Sequence, residues 1–206
     1  MNNRSFIEYI KDCALPGIVA HKEMSFTNRP FKKPVGAMLS AVSLILFEEE
    51  GEWMFPLIKR TESGSHHKGQ IALPGGKLDE GEDICQCVVR EAHEEMGIGI
   101  DAIQTIRVLT EVYIPVSNYL VYPVVCVLSE NPKFVINKAE VEKVIICGVS
   151  DLLHFEKRHA CVQKTDGSWI EVPAFEYKGD IIWGATALMM NEFKHMVHRY
   201  CSKSSI

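Results

Sequence analysis

Glutamates stand at positions 91, 94 and 95 of the 206-residue chain, inside the stretch 75–99, GGKLDEGEDICQCVVREAHEEMGIG. On a helix at 100° per residue the three fall within about one quadrant, beside the apolar face rather than opposite it. Like charges three or four apart weaken a helix by a few tenths of a kcal/mol each, and only Arg90 is close enough in sequence to offset three negative charges. Two readings follow. An acidic run is most often a solvated face. Carboxylates on adjacent turns are also the oxygen donors that a hard divalent cation, Mg²⁺ or Mn²⁺, takes while keeping positions for water and phosphate oxygens.

The elements that must hold these residues can be read from periodicity. Ile84, Cys85, Val88, Val89, Ala92 and Met96 recur at three- and four-residue steps and predict an amphipathic helix over 83–96, ended by Gly97. A short helix is expected over 4–13, and residues 14–34, with three prolines and no clear period, read as an arm. The expected organisation is therefore an N-terminal helix and extended arm over 1–36 and one domain over 37–206. Strand-like runs occur at 38–47, 53–60, 100–114, 119–128, 143–149 and 169–177, with helical turns at 137–142 and 150–155 and a long terminal helix over 181–201. Strands outnumber helices, so the helices would cover a mixed sheet.

Composition narrows the partners. A net charge of −5 leaves no basic field for nucleic acid or an anionic membrane, so an anionic substrate must be held by local features. The longest apolar stretch, 36–47, is too short for a membrane span and is interrupted by Ser40 and Ser43. The seven cysteines form no C-x-x-C pair and read as reduced thiols of a cytoplasmic protein without an export signal. Residues 1–36 are free to wrap their own subunit or a second copy, which keeps a homodimer open.

The spacing Gly76, five residues, Glu82, seven residues, then Arg90-Glu91-Ala92-His93-Glu94-Glu95-Met96-Gly97-Ile98 resembles, position for position, the signature of the Nudix hydrolases. The resemblance implies an α/β fold, a Nudix-type α/β/α sandwich around a mixed β-sheet. It implies divalent ligation by Glu91, Glu94, Glu95 and the carbonyl at Gly76, with Glu91 also placed to orient or deprotonate the attacking water. Glu82 is expected to pair with Arg90 and hold loop to helix.

Residues before the box are similar to the coenzyme A pyrophosphatase branch: Arg60, His67, Gly69, Pro74, Gly75 and Gly76 fall in register, whereas Ser65 stands where that branch usually has Arg and Leu73 where it has Phe. Further matches lie at 116–125, 137–141 and 181–187. The implied substrate contacts are Arg60, His67, Lys68, Gly75 and Lys77, with Glu140, then Glu111, as the next candidates for distal ligand or base. The function so implied is metal-dependent cleavage of a small-molecule nucleoside diphosphate, coenzyme A or acyl-CoA, to 3′,5′-ADP and 4′-phosphopantetheine. Hydrolysis of ADP-ribose or another nucleoside diphosphate sugar is the same-class alternative, and a non-catalytic Nudix-fold binding module the different-class one.

Overall fold

The computed structural model describes residues 3–25, 34–62, 68–164 and 167–204. Its organising element is β1 (Met38–Glu49), twelve residues whose middle is buried on both faces. Side chains alternate across a strand, so Ile45 and Phe47 enter one core cluster while Leu44 and Leu46 enter the other. A strand that is apolar in both registers demands a layer on each side.

Around β1 the chain places β2 (Glu52–Arg60), β3 (Ile71–Ala72), β4 (Gly75–Lys77), β5 (Ile103–Val108), β6 (Val112–Ile114), β7 (Tyr119–Leu128) and β8 (Val141–Gly148). Together they form one eight-stranded sheet in the order β3-β2-β1-β7-β5, with β4 added to β1, β6 to β7 and β8 to β2. The sheet is mixed: β1 runs parallel to β7 from Met38↔Tyr119 to Leu46↔Val127 and antiparallel to β2 and β4.

The described chain also holds five α-helices, α1 (Asn3–Asp12), α2 (Ile18–Glu23), α3 (Ile84–Met96), α4 (Val149–Leu153) and α5 (Gly184–Ser204), and one 3₁₀ turn at Ile100–Ala102. Cys87, Val88, Ala92 and Met96 of α3 close the cluster around Ala41, Ile45, Val124 and Cys126. On the other face Met190, Phe193 and Val197 of α5 meet Leu44, Phe55, Leu57 and Val125, together with Phe6 and Ile10 of α1. Helix, sheet, helix is the layering expected of the sequence. A second sheet, β11-β10-β9, is built from β9 (Arg158–Gln163), β10 (Trp169–Tyr177) and β11 (Asp180–Trp183). All seven cysteines are free, and no helix among the described residues is long and apolar enough to cross a membrane.

Locally, the structure refines what periodicity predicts, and the run 100–114 divides into a 3₁₀ turn, β5 and β6. The terminal helix begins at Gly184 rather than at 181, because residues 180–183 pair with β10 through Tyr177↔Asp180 to Ala174↔Trp183. The strand β9 has no apolar run to announce it and is recruited by its neighbour through six pairs. The helical turn expected over 137–142 is a single turn, in which the Glu140 and Val141 N–H groups both donate to the Asn137 carbonyl, and β8 begins already at Val141. In place of one helix and an arm, residues 3–25 carry two helices, and both lie against the chain's own core: Phe6, Ile10, Ala20 and Met24 are buried.

A buried polar cluster seats α2. Glu192 of α5, fully buried, accepts from the Gly17 N–H (3.1 Å), the Thr110 N–H (3.2 Å) and the Thr110 hydroxyl (2.7 Å), and its other contact is His21 Nε2 at 3.1 Å. Asn191 Nδ2 donates to the Ala20 carbonyl (2.8 Å) and to Glu23 (2.9 Å). Burial pushes the Glu192 carboxyl up, but the hydrogen bonds from His21 and Thr110 outweigh it and hold the group below the usual carboxylate range. A carboxylate with a lowered value stabilises the fold above its ordinary pKa, and that contribution is lost as pH falls through the lowered value. Glu192→Ala should therefore cost about 3–5 kcal/mol in urea unfolding at neutral pH, with the difference from the parent shrinking under acid. A cost under about 1 kcal/mol would show that this cluster does not anchor residues 17–24.

Candidate active site

The helix that carries the glutamates is bounded by side-chain and backbone caps. Asp83 accepts from the Gln86 N–H (2.8 Å) while Gln86 Oε1 accepts from the Asp83 N–H (2.9 Å), a reciprocal pair that satisfies two otherwise orphaned donors. At the other end Gly97, at φ +70°, closes the last turn by donating to the His93 carbonyl at 2.8 Å. Glu91, Glu94 and Glu95 thus sit on the last two turns of a firmly terminated helix.

Opposite them runs the Pro74–Gly75–Gly76 segment, fixed to β1 by Ser43, whose N–H (2.8 Å) and hydroxyl (3.3 Å) both donate to the Pro74 carbonyl. Gly75, at φ +148°, is buried so tightly that a Cβ there would lie 2.2 Å from the Ala41 carbonyl oxygen. Its N–H donates to Glu95 Oε2 at 2.9 Å. A Cβ on Gly76 would instead fall 2.2 Å from Glu91 Oε1. The two glycines therefore do different things: Gly75 lets the segment lie flat against β1 with its N–H on Glu95, and Gly76 leaves the space that the Glu91 carboxylate occupies.

Arg90 organises the acidic side. Its Nε and Nη2 grip both oxygens of Glu82 at 2.8 and 2.9 Å, the forked geometry that guanidinium provides and ammonium does not. Nη1 reaches Glu91 and Glu94, each at 2.9 Å, and Nη2 also donates to the Lys77 carbonyl at 3.1 Å. The expected Glu82–Arg90 pair is present, and the hydrogen bonds from Arg90 hold the Glu82 carboxyl below its usual range.

Glu95 is in the opposite condition. Its side chain is 1% exposed, and Oε1 has no hydrogen-bond partner among the described residues; the nearest cation is Arg60 Nη1 at 3.5 Å. Burial pushes its carboxyl up to about 8 against the pull of Arg60 and the Gly75 N–H, and the negative charges of Glu91 and Glu140 add to the rise. Glu91 is raised for the same first reason, burial, with Arg90 opposing and Glu94 and Glu140 adding. Glu140 is exposed in the turn before β8, near enough for its charge to act on both, and its carbonyl accepts from the Thr61 N–H at 3.0 Å next to Arg60.

A divalent cation can be tested against this arrangement. The donor set is all oxygen, partly or wholly buried, and short of positive charge, with one buried carboxylate oxygen unpartnered; this fits Mg²⁺ or Mn²⁺. In the described residues Glu91 and Glu94 are turned to Arg90, and no three His, Cys, Asp or Glu side chains converge at metal-binding spacing. The Gly76 carbonyl is 3.7 Å from the Cys87 thiol, a weak contact.

The remaining expected contacts divide. Arg60 lies beside Glu95; Lys77 contributes its carbonyl while its side chain is exposed; Lys68 is exposed; His67 lies outside the described residues; Glu111 is exposed between β5 and β6. The sequence reading missed Ser43. The polar interruption of an otherwise apolar run was its visible signal.

A NUDIX domain model matches residues 38–165 of the chain. The chain belongs to the Nudix family. Among curated relatives, it is 33% identical over 156 residues to Nudix hydrolase 15, mitochondrial, of Arabidopsis thaliana, covering 72% of this chain and 54% of that protein. It is 30% identical over 142 residues to the Nudix hydrolase NudL of Photorhabdus laumondii, covering 68% of this chain and 75% of that protein. The chain thus spans about half the length of the plant relative. The crystal structure of a MutT/nudix family protein from Enterococcus faecalis superimposes with a TM-score of 0.53 at 16% identity, over 96% of this chain and 75% of that one, a likeness of fold.

Proposed function

We propose that this Nudix protein is a metal-dependent hydrolase of nucleoside diphosphate derivatives, with coenzyme A or acyl-CoA as the substrate. The observation that carries the proposal is the buried, unpartnered Glu95 oxygen set among Glu91, Glu140 and Arg60 beside a glycine-lined backbone. Such a carboxylate is costly unless a cation meets it when the site works. A divalent ion held by Glu91, Glu94 and Glu95 would neutralise charge on the diphosphate and make a bound water more acidic.

The chain's own groups have separable roles. Arg90 is committed to Glu82 and fixes loop to helix, so it orients Glu91 and Glu94 without itself meeting substrate. Glu91 takes the proton of the attacking water or aligns that water on phosphorus, with Glu140 as the second candidate; the P–O bond to the bridging oxygen breaks as the new one forms. Arg60, with Lys68 and Lys77 at the rim, binds the phosphate oxygens, and Gly75 keeps Glu95 aimed through its N–H.

Hydrolysis of ADP-ribose is the second reading, favoured by Ser65 in place of the arginine expected of a coenzyme A enzyme. Side-by-side turnover of coenzyme A and ADP-ribose, with Mg²⁺ and with Mn²⁺, separates the two. Coenzyme A is expected to give 3′,5′-ADP and 4′-phosphopantetheine at the higher kcat/KM. A preference of about a hundredfold for the sugar nucleotide, equivalent to roughly 2.7 kcal/mol, ends the coenzyme A reading.

A further inference from the structure

The two arginines of the site are bound very differently. Arg90 is saturated: every nitrogen of its guanidinium has a hydrogen-bonded carboxylate within 2.9 Å. Arg60 stands 3.5 Å from Glu95 Oε1, beyond hydrogen-bond length for a charged pair, and that oxygen is unpartnered among the described residues. The pairing is one of charge without a locking bond.

Its position comes from an irregularity in the sheet. Strands β2 and β8 pair in regular register from Met54↔Gly148 to Lys59↔Lys143, then slip between Lys59 and Arg60 so that Arg60 opposes Val141. A bulge of this kind re-aims one side chain relative to the pleat. Lys59 goes to Glu142 at 3.0 Å, and Arg60 is directed at Glu95 with 31% of its side chain still exposed. The guanidinium can therefore move toward solvent without crossing packed core.

We infer that Arg60 is a place-holding counter-cation: it balances Glu95 in the metal-free protein, and gives that carboxylate up to the divalent ion so that its guanidinium can turn to a substrate phosphate. The inference rests on the diphosphate hydrolase reading. Its consequence is a coupling between the two ligands. Metal entering alone competes with Arg60, whereas metal entering with an anionic substrate finds the guanidinium already attracted elsewhere, so each ligand tightens the other by the same factor. A residue that served only the fold would not act oppositely on the two.

The test is titration of the full chain with Mg²⁺ alone by calorimetry, for the parent, Arg60→Gln and Arg60→Lys. Arg60→Gln should bind Mg²⁺ roughly threefold to tenfold more tightly, because the competing cation is gone. The same variant should raise KM for the better of coenzyme A and ADP-ribose about tenfold, with kcat changed less than about threefold. Arg60→Lys keeps the charge and should retain Mg²⁺ affinity near the parent's. Thermal midpoints in EDTA identify any variant that fails to fold, in which case the lysine variant carries the KM comparison. Unchanged or weaker Mg²⁺ binding by a folded Arg60→Gln, with the parent binding normally, overturns the place-holder role and leaves the hydrolase reading intact. No Mg²⁺ uptake by the parent overturns both.

Discussion

Glu95→Gln should lower metal-dependent kcat by about 10³-fold and leave the metal-free protein as stable as its parent or more so. The substitution is isosteric. The amide oxygen can still accept the Gly75 N–H that Glu95 Oε2 accepts at 2.9 Å, and the amide nitrogen faces Arg60, which is exposed enough to turn away. What disappears is a buried titratable carboxyl with an unpartnered oxygen, a feature that opposes folding whether it is held charged or must take up a proton. A residue retained for function at the expense of stability shows this opposite response in the two measurements. The readouts are turnover at saturating Mg²⁺ and the thermal midpoint in EDTA. Retention of more than a tenth of the activity, or a loss of more than about 2 kcal/mol in stability, would remove Glu95 from the site as described.

The second large effect separates two adjacent glycines. Gly75→Ala puts a methyl 2.2 Å from the Ala41 carbonyl oxygen and 2.6 Å from the Val42 Cα, both backbone atoms of the central strand, at a φ of +148° that L-residues avoid. Neither neighbour can give way without parting β4 from β1. The expected result is a loss of about 3 kcal/mol or more in urea unfolding and little folded protein at physiological temperature. Gly76→Ala meets only the flexible end of Glu91, at 2.2 Å from Oε1. That carboxylate can swing away, so stability should fall by about 1 kcal/mol or less while kcat falls about 10²-fold. Equal stability losses for the two variants, or full activity in Gly76→Ala, would contradict the placement of Glu91 over Gly76.

Much of this was visible in one dimension because its causes are local. The amphipathic period of 84–96, the cap at Asp83 and the stop at Gly97 all act within a few residues, and α3 forms where they place it. Arg90 and Glu82 lie eight apart, close enough for a loop and one helix to bring them together. The same locality misled where partners were distant. Residues 180–183 look like the start of a helix until β10 offers them a ladder, and β9 has a polar sequence that only pairing explains. Residues 17–24 lack a helical period, yet Glu192, Thr110 and Asn191 hold them in place from far along the chain.

From its residues alone this chain is set as a helix-covered mixed sheet carrying three carboxylates on one helix beside two glycines, since composition, periodicity and fixed spacings require nothing beyond near neighbours. Folding alone decides what each carboxylate experiences. Glu94, half exposed, is neutralised by Arg90; Glu95, one residue on, is walled in by Gly75 and β1 and left with only a distant guanidinium. Adjacent glutamates are the same letter in a sequence. They differ in environment because a charge's energy depends on the dielectric and the countercharges around it, and those are supplied by strands remote in the chain.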